Sequence, residues 1–261
     1  MTPVYREFAA IYAAGDYSEF SRRMAECLPA ALRTLDIQPS EILDLACGEG
    51  TFACEAAKLG YRVTGLDRSE EMLGFARKRA LDQEAHFDLV RGDMRALPFT
   101  RGFDLVTCWF DSLNYVVDLR QLTRVFCAVA EALRAGGLFV FDMNTTYGLA
   151  VNWRENPCYV RSDDARIFEV HRQDYNFETG LAEMRITAFV KQGDSWTRIE
   201  EVHRERAYTQ KEIREALGKA GLQVLAAWGS FRDRSEATDE SPRVWFVAKR
   251  APAPGEAPEM A

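Results

Sequence analysis

Apolar positions along the chain change their spacing from one stretch to the next, and those changes divide it. From Tyr5 to Leu35 they return every three or four residues, at Phe8, Ile11 and Tyr12, then at Phe20, Met24, Cys27, Leu28 and Leu32. This spacing predicts amphipathic helix, broken in two at Gly15-Asp16. Short apolar runs then alternate with helical patterns. Strands are expected at 41–46, 62–66, about 86–91, 103–109 and 138–142, and helices at 51–59, from Ser69 to about Ala80, and at 119–134. Ser69 is a capping residue, with Glu70 and Glu71 in the first turn where the helix dipole favours them. Gly136-Gly137 is expected to close the last of these helices. Strand and helix alternating five times predicts an α/β fold with a doubly wound parallel sheet and right-handed crossovers.

After Asn144 the spacing becomes two. The runs Ile167 to Phe177, Leu181 to Lys191 and Trp196 to Tyr208 are joined by Glu178-Thr179-Gly180 and Gln192-Gly193-Asp194, which are hairpin connections. They predict an antiparallel β insert. Thr209 and Glu212 then form a capping box for a helix to Ala220, ended by Gly221. Strands Leu222 to Trp228 and Arg243 to Lys249 finish the pattern, around a polar segment 229–241 expected to lie over the surface. The organisation read from this is an N-terminal helical segment (1–38), a core made of 39–147 and 209–250, an insert (148–208) and a Pro/Ala/Glu-rich tail (251–261) expected to be disordered.

Composition narrows the function classes. The chain has 261 residues, 47% hydrophobic and 28% charged, with a net charge of −7 and no Lys/Arg run. It lacks the basic footprint of a protein that grips a phosphate backbone, so nucleic acid is not an expected partner. The six cysteines form no CxxC pair and stand at no metal-ligand spacing with the three histidines; they read as reduced core residues, with no metal site. The N-terminus has neither a basic nor an apolar signal region and no apolar stretch spans a bilayer, which gives a cytoplasmic expectation and no membrane partner.

The chemistry is concentrated where the first strand stops. In Asp44-Leu-Ala-Cys-Gly-Glu-Gly50, glycines at 48 and 50 let backbone approach a ligand where a Cβ would collide, and the next helix opens its amides toward it. Gly48-Glu49-Gly50-Thr51-Phe52-Ala53 meets the loose dinucleotide fingerprint, with Asp67 seventeen residues beyond Gly50 (67 − 50). That pattern alone leaves a nicotinamide cofactor and S-adenosylmethionine open. Asp44 within the strand favours the second, because a buried carboxylate there suits an amino-acid ammonium and is costly without a partner. Gly92-Asp93-Met94 after the third strand favours it too, as a carboxylate that accepts from an adenine amine beside an apolar neighbour.

At these residues the chain resembles the class I S-adenosylmethionine-dependent methyltransferases, in their small-molecule branch with a β insert after the fifth strand. It is also similar to bacterial amino-sugar N,N-dimethyltransferases. Asp44 to Gly50 resembles the first motif, Gly65 to Ser69 the second, Arg91 to Met94 the third and Phe103 to Tyr115 the fourth. The resemblance implies a seven-stranded Rossmann-like sheet and S-adenosyl-L-methionine as methyl donor. It further implies that Asp44 organises the methionine end, and that Ala46, Cys47, Gly48 and Gly50 approach its carboxylate and the ribose. Asp67 would take the ribose hydroxyls with Arg68 and Met72 beside it, Asp93 and Met94 would read adenine, and Trp109 and Phe110 would flank the amino-acid portion. Residues 1–38 would then be a lid, with Tyr12 and Tyr17 as cofactor contacts. Glu49, where relatives often carry Thr, is expected to face solvent.

For the acceptor side, Asp111 and Tyr115 are the catalytic candidates, and Asn114, Tyr115, His171 and His203 the substrate candidates. Each has a plainer reading. Asp67 could cap a helix, Asp93 could be a turn residue, Tyr12 and Tyr17 could be packing aromatics, His171 and His203 could be ordinary strand histidines, and His86 reads as structural. Cys47 has no recognisable base and reads as a small filler. The function expected is methyl transfer to a small molecule, an amine or amino sugar, by a monomer or homodimer. A nicotinamide-dependent oxidoreductase and a non-catalytic cofactor-binding or assembly protein are the alternatives.

Overall fold

The computed structural model describes residues 4–251, and the N-terminal pattern becomes two helices, α1 (Ala9–Ala14) and α2 (Ser18–Thr34), parted at Gly15. Next come β1 (Glu41–Leu45), α3 (Thr51–Lys58), β2 (Arg62–Asp67), α4 (Glu70–Asp82), β3 (Asp88–Arg91), β4 (Phe103–Cys108), α5 (Leu119–Ala132) and β5 (Leu133–Asn144). The insert holds a π-helical turn at Gly148–Asn152, α6 (Trp153–Glu155) and strands β6 (Cys158–Asp163), β7 (Ile167–Asn176), β8 (Leu181–Gln192) and β9 (Ser195–Arg206). The chain ends with α7 (Gln210–Lys219), β10 (Leu222–Trp228) and β11 (Arg243–Arg250). Apart from Ala251, the tail expected to be disordered lies outside the described residues.

One seven-stranded sheet runs β10-β11-β5-β4-β1-β2-β3, parallel from β5 to β3, with β11 antiparallel to both its neighbours. The order reverses between β1 and β4, so their carboxyl ends open a crevice at a topological switch point, where ligands bind in such sheets. Helices α5 and α7 bury Phe126, Val129 and Leu217 against Phe139, Phe141 and Phe246 on one face. On the other, Leu28 and Phe52 pack on Ile42, Leu105, Val140 and Val247. Strands covered on both faces read as continuous apolar runs, which is why β1, β4 and β5 were legible.

The expected caps form: Ser69 Oγ accepts from Met72 N at 3.2 Å, and Thr209 with Glu212 closes a capping box. One boundary differs. α5 ends at Ala132, because Leu133 already pairs with Phe103 before the register jumps to Leu105 opposite Leu138. The Gly136-Gly137 pair sits in the intervening kink, where a Cβ on Gly137 would lie 3.1 Å from the Asp104 carbonyl oxygen. The glycines serve a strand irregularity rather than a helix end.

The insert is a second sheet, ordered β6-β7-β8-β9 and wholly antiparallel. Its inner face lies on the N-terminal segment: Ile186 and Ala188 of β8 cluster with Phe8, Ile11 and Tyr12 and with Met72 of α4. β6 and the π turn went unforeseen. β6 is an edge strand with Val160 54% exposed, so its alternation does not mark an inner face, and the turn has no repeating apolar period.

Candidate functional site

The chain leaves β1 through a loop in which Ala46, Gly48 and Gly50 all have positive φ. A Cβ on Gly50 would stand 2.9 Å from that of Ala76, so the loop rests on α4 at a distance only glycine permits. Above it lies a cavity of ≈ 340 Å³, lined by Asp44, Ala46, Cys47, Gly48, Asp67, Arg68, Met72, Asp93, Met94, Trp109, Phe110 and Tyr12 from the expected set. Gly50 does not line it and acts as the hinge that sets the loop. Burial pushes the Cys47 thiol well up, which leaves it a poor nucleophile.

Asp44 stands opposite Thr107 across β1 and β4 and accepts the Thr107 hydroxyl at 2.9 Å. It is 2% exposed, and burial raises its pKa to about 8 against the lowering by Thr107. Asp67 ends β2 and accepts from Gly48 N at 3.0 Å and Ser69 N at 2.8 Å. Burial raises its pKa, and those amides oppose the rise. Asp93 is bound by Arg95 through both side chain and backbone, which holds its carboxyl below the usual range. Glu49 departs from the solvent-facing expectation. It is 3% exposed, pairs with Arg79 of α4 and accepts the Thr51 hydroxyl at 2.6 Å, because the loop folds inward onto α4.

The turn after β4 is strained. Phe110 and Asp111 both adopt positive φ, a conformation of order 1–3 kcal/mol above an ordinary one for such residues. Asp142 of β5 holds it, accepting from Phe110 N at 2.7 Å and Asp111 N at 3.0 Å. Asp111 itself is paired with Arg243 of β11 at 2.7 Å, and the same guanidinium bonds Asp142. Asp111, a catalytic candidate from the sequence, therefore lies off the cavity lining, with its carboxylate engaged by Arg243 in the turn. Asn114 is likewise consumed: its amide nitrogen donates to the carbonyls of Asn144 and Arg206 at 3.0 and 2.9 Å, and its oxygen accepts from Asn144 N at 3.0 Å. It stitches the core to the insert.

Tyr115 lines the cavity, with its hydroxyl 2.8 Å from His203 Nδ1 and 3.2 Å from the Tyr5 hydroxyl. His203 stands behind it, 3% exposed, with Nε2 3.2 Å from Glu201. Tyr17 and His171 lie outside the lining: Tyr17 bonds Glu169 and approaches His171 Nε2 at 3.3 Å, and His171 also pairs with Glu169 and with Tyr159 at 3.0 Å. These two residues fasten the N-terminal segment to β7. His86 is exposed before β3.

Sequence reasoning missed Tyr5, Glu201 and Arg243. A signal was present for Glu201, because Glu-Val-His occurs at 169–171 and again at 201–203, and residues two apart on a strand share a face. Both pairs face the N-terminal segment.

Residues 42–137 match the methyltransferase domain family. A protein of Geobacillus sp. (strain WCH70) assigned as a methyltransferase is 32% identical over 210 residues, covering 80% of this chain and 84% of that one. The dTDP-3-amino-3,4,6-trideoxy-α-D-glucopyranose N,N-dimethyltransferase of Streptomyces venezuelae is 30% identical over 196 residues, 74% of this chain and 79% of that one. An S-adenosylmethionine-dependent methyltransferase from Clostridium acetobutylicum ATCC 824 superposes with a TM-score of 0.82 at 27% identity, over 95% of this chain and 100% of that one. With the seven-stranded order, the glycine loop and its three carboxylates already in view, the chain belongs to the class I S-adenosylmethionine-dependent methyltransferases.

Proposed function

We propose that this enzyme methylates a small-molecule amine, with an amino sugar as the acceptor that suits it best. The observation that carries the reading is the far wall of the cavity. There the hydroxyls of Tyr5 and Tyr115, from the N-terminal segment and the turn after β4, meet beside the rings of Tyr12 and Phe110. Aromatic faces around a polar pair fit an amine that gains positive charge as it is methylated, at ~0.5–2 kcal/mol per cation–π contact.

The donor-side residues suit S-adenosylmethionine, which supplies an activated methyl on a sulfonium. Asp44 is a buried carboxyl that a ligand ammonium would hold ionised, and the Ala46 to Gly50 backbone has room for a carboxylate and a ribose. Asp67 keeps lone pairs for two hydroxyls. Asp93, once it shares or releases Arg95, would accept from the adenine amine beside Met94, with Trp109 and Phe110 along the methionine portion. Tyr12 and Met72 complete that wall. Residues 4–38 act as the lid in this reading, and the insert closes the acceptor side. All six cysteines are free, which suits a reducing compartment such as the cytoplasm.

The chain's task is then to align acceptor and methyl and to exclude water. Calorimetry with S-adenosylhomocysteine tests the donor side. A mass-spectrometric assay with dTDP-3-amino-3,4,6-trideoxy-α-D-glucopyranose, the sugar in the Streptomyces venezuelae relative's name, tests the acceptor side, where mono- and dimethylated products are expected. Binding without methylation of that sugar would reject this acceptor while leaving the donor assignment standing.

A further inference from the structure

Behind the acceptor wall, three side chains from two distant parts of the sequence form one hydrogen-bonded line. Tyr115 comes from the 3-10 turn Ser112–Tyr115, and Glu201 and His203 from β9 of the insert. Glu201 is an acceptor several times over: it receives Tyr5 N at 2.8 Å, Arg6 N at 3.1 Å and Phe8 N at 3.0 Å, besides His203 Nε2 at 3.2 Å. Burial pushes its carboxyl up, but His203 and the amides of Phe8 and Tyr5 outweigh this and hold it below the usual range. An ionised carboxylate has no proton to give, so Nε2 is the donor in that contact. In the neutral ring Nδ1 is then the bare nitrogen, placed 2.8 Å from the Tyr115 hydroxyl to accept its proton.

We propose that Tyr115 and His203, oriented by Glu201, form a proton relay that receives the proton lost by the methyl acceptor. The inference rests on the reading of that acceptor as an amine, or any heteroatom carrying a proton. As the acceptor lone pair takes the methyl and the S–C electron pair stays on sulfur, the acceptor proton passes to Tyr115 Oη. The Tyr115 proton passes to His203 Nδ1, and the imidazolium so formed rests against the Glu201 carboxylate. Tyr115 works as a conduit rather than a base, since burial keeps its phenol protonated far above the usual tyrosine range. Of the three, only Tyr115 touches the cavity, so His203 and Glu201 are positioning residues that act through it.

The shared carboxylate adds a coupling. Glu201 is completed by the backbone amides of residues 5, 6 and 8, so the relay reaches its full set of bonds only when the N-terminal segment lies over the cavity. The same closure brings the Tyr5 hydroxyl to Tyr115. Among the described residues, Glu201 on β9, Tyr115 on the 3-10 turn and Tyr5 on the N-terminal segment are the titratable groups in contact with His203, and the buried Glu205, two residues on along the same face of β9, and Asp111 act on Tyr115 through their charge. The Phe8 ring at 5.7 Å and Met184 opposite on β8 carry no charge.

The test uses the full chain with ¹⁵N-labelled histidine and S-adenosylhomocysteine bound. With three histidines in the sequence, His203 is assigned by comparison with His203→Gln. Long-range ¹H–¹⁵N spectra at pH 7.5 should find the Nε2-protonated tautomer, and Tyr115→Phe should shift Nδ1 toward a nitrogen without a donor. A ring protonated at Nδ1 has no lone pair facing Tyr115 to take its proton, and would overturn the relay. With the amino sugar named above, Tyr115→Phe and His203→Gln should each lower kcat about 10²- to 10⁴-fold and leave the S-adenosylhomocysteine dissociation constant within about threefold. Glu201→Asp should recover part of what Glu201→Gln loses, because only the carboxylate keeps His203 in the Nε2-protonated orientation. Unchanged kcat with a raised KM in the first two variants would reduce them to pocket wall. A wild type that leaves this sugar unmethylated counts against the acceptor reading, and the tautomer then decides the relay.

Discussion

Asp44 Oδ1 accepts the Thr107 hydroxyl at 2.9 Å across adjacent parallel strands, and the carboxyl so held is 2% exposed at the floor of the cavity. Burial lifts its pKa from 3.8 to about 8. Below pH 8 the carboxyl is therefore protonated until an ammonium arrives to favour its charged form. Binding of S-adenosylhomocysteine at pH 7 should release close to one proton more in the wild type than in Asp44→Asn. Calorimetry in two buffers of different ionisation enthalpy measures the difference, and equal release in both proteins would remove Asp44 from the ammonium site. The same shift has a stability sign. Between pH 4 and 8 the folded chain without ligand binds more protons at Asp44 than the unfolded chain, so its stability falls as pH rises through that window. Asp44→Asn should flatten the fall, as read from Tm against pH.

Asp67 spends one lone pair of each oxygen on the amides of Gly48 and Ser69, which fixes the carboxylate at the end of β2 and leaves both oxygens able to accept again. Asp67→Ala removes two charge-assisted acceptors from a ribose diol, each of order 1.5–3 kcal/mol. The S-adenosylhomocysteine dissociation constant should rise at least about tenfold, and an unchanged constant would contradict the ribose role.

What the sequence made legible follows from where the physics is local. Asp44, Gly48, Asp67 and Met94 lie within a few residues of a strand end or a cap, so alternation and turn chemistry locate them before any fold is known. The far wall is different in kind. Tyr5 reaches Tyr115 over 110 positions and Glu201 caps the N-terminal segment over nearly 200, and no period along the chain encodes such pairings. Asp111 misled because its place after β4 is a binding position in this fold, while its partner Arg243 sits 132 residues away on a strand with nothing unusual in its pattern. Tyr17 and His171 misled similarly. An aromatic in a helix and a histidine in a strand fit a ligand site and a latch equally well until the two are seen to bond each other.

Gly148 opens the π-helical turn that leads into the insert, and a Cβ placed there would lie 2.1 Å from the carbonyl oxygen of Pro242. That oxygen already accepts from Thr145 N at 3.1 Å, and Gly148 N is held by Thr145 Oγ1 at 3.0 Å, so neither backbone can move aside freely. Gly148→Ala should destabilise the protein by roughly 1–3 kcal/mol or more, the range for an overpacked core site. Urea unfolding gives the number. A variant as stable as the wild type would mean that the entry to the insert is looser than this contact requires.

Arg243 is a largely buried cation shared by two carboxylates. Its guanidinium bonds Asp111 and Asp142, and it lies 4.9 Å from the Phe20 ring centroid, stacked between the N-terminal segment and the β4 turn. Glu205 is nearby, bonded to Asn144 Nδ2 at 2.8 Å, and burial together with the charge of Asp111 pushes its carboxyl well above the usual range. Burial also raises Asp142, against the lowering by Arg243. Arg243→Met keeps much of the volume and leaves the carboxyls without their cation, a loss of about 3–5 kcal/mol for a broken buried pair. Arg243→Lys should recover only part of it, since one ammonium cannot fork to two carboxylates as a guanidinium does. The pH dependence identifies the cause. With the cation gone, the carboxyls of Asp142 and Glu205, both lowered by Arg243 in the wild type, rise further, the folded state binds the extra protons, and stability must fall as pH rises. The Tm deficit of Arg243→Met should therefore be largest near pH 8 and shrink toward pH 5.5. A deficit that stays constant over that range would assign the loss to the Phe20 and Phe110 stacking instead of to the carboxylates.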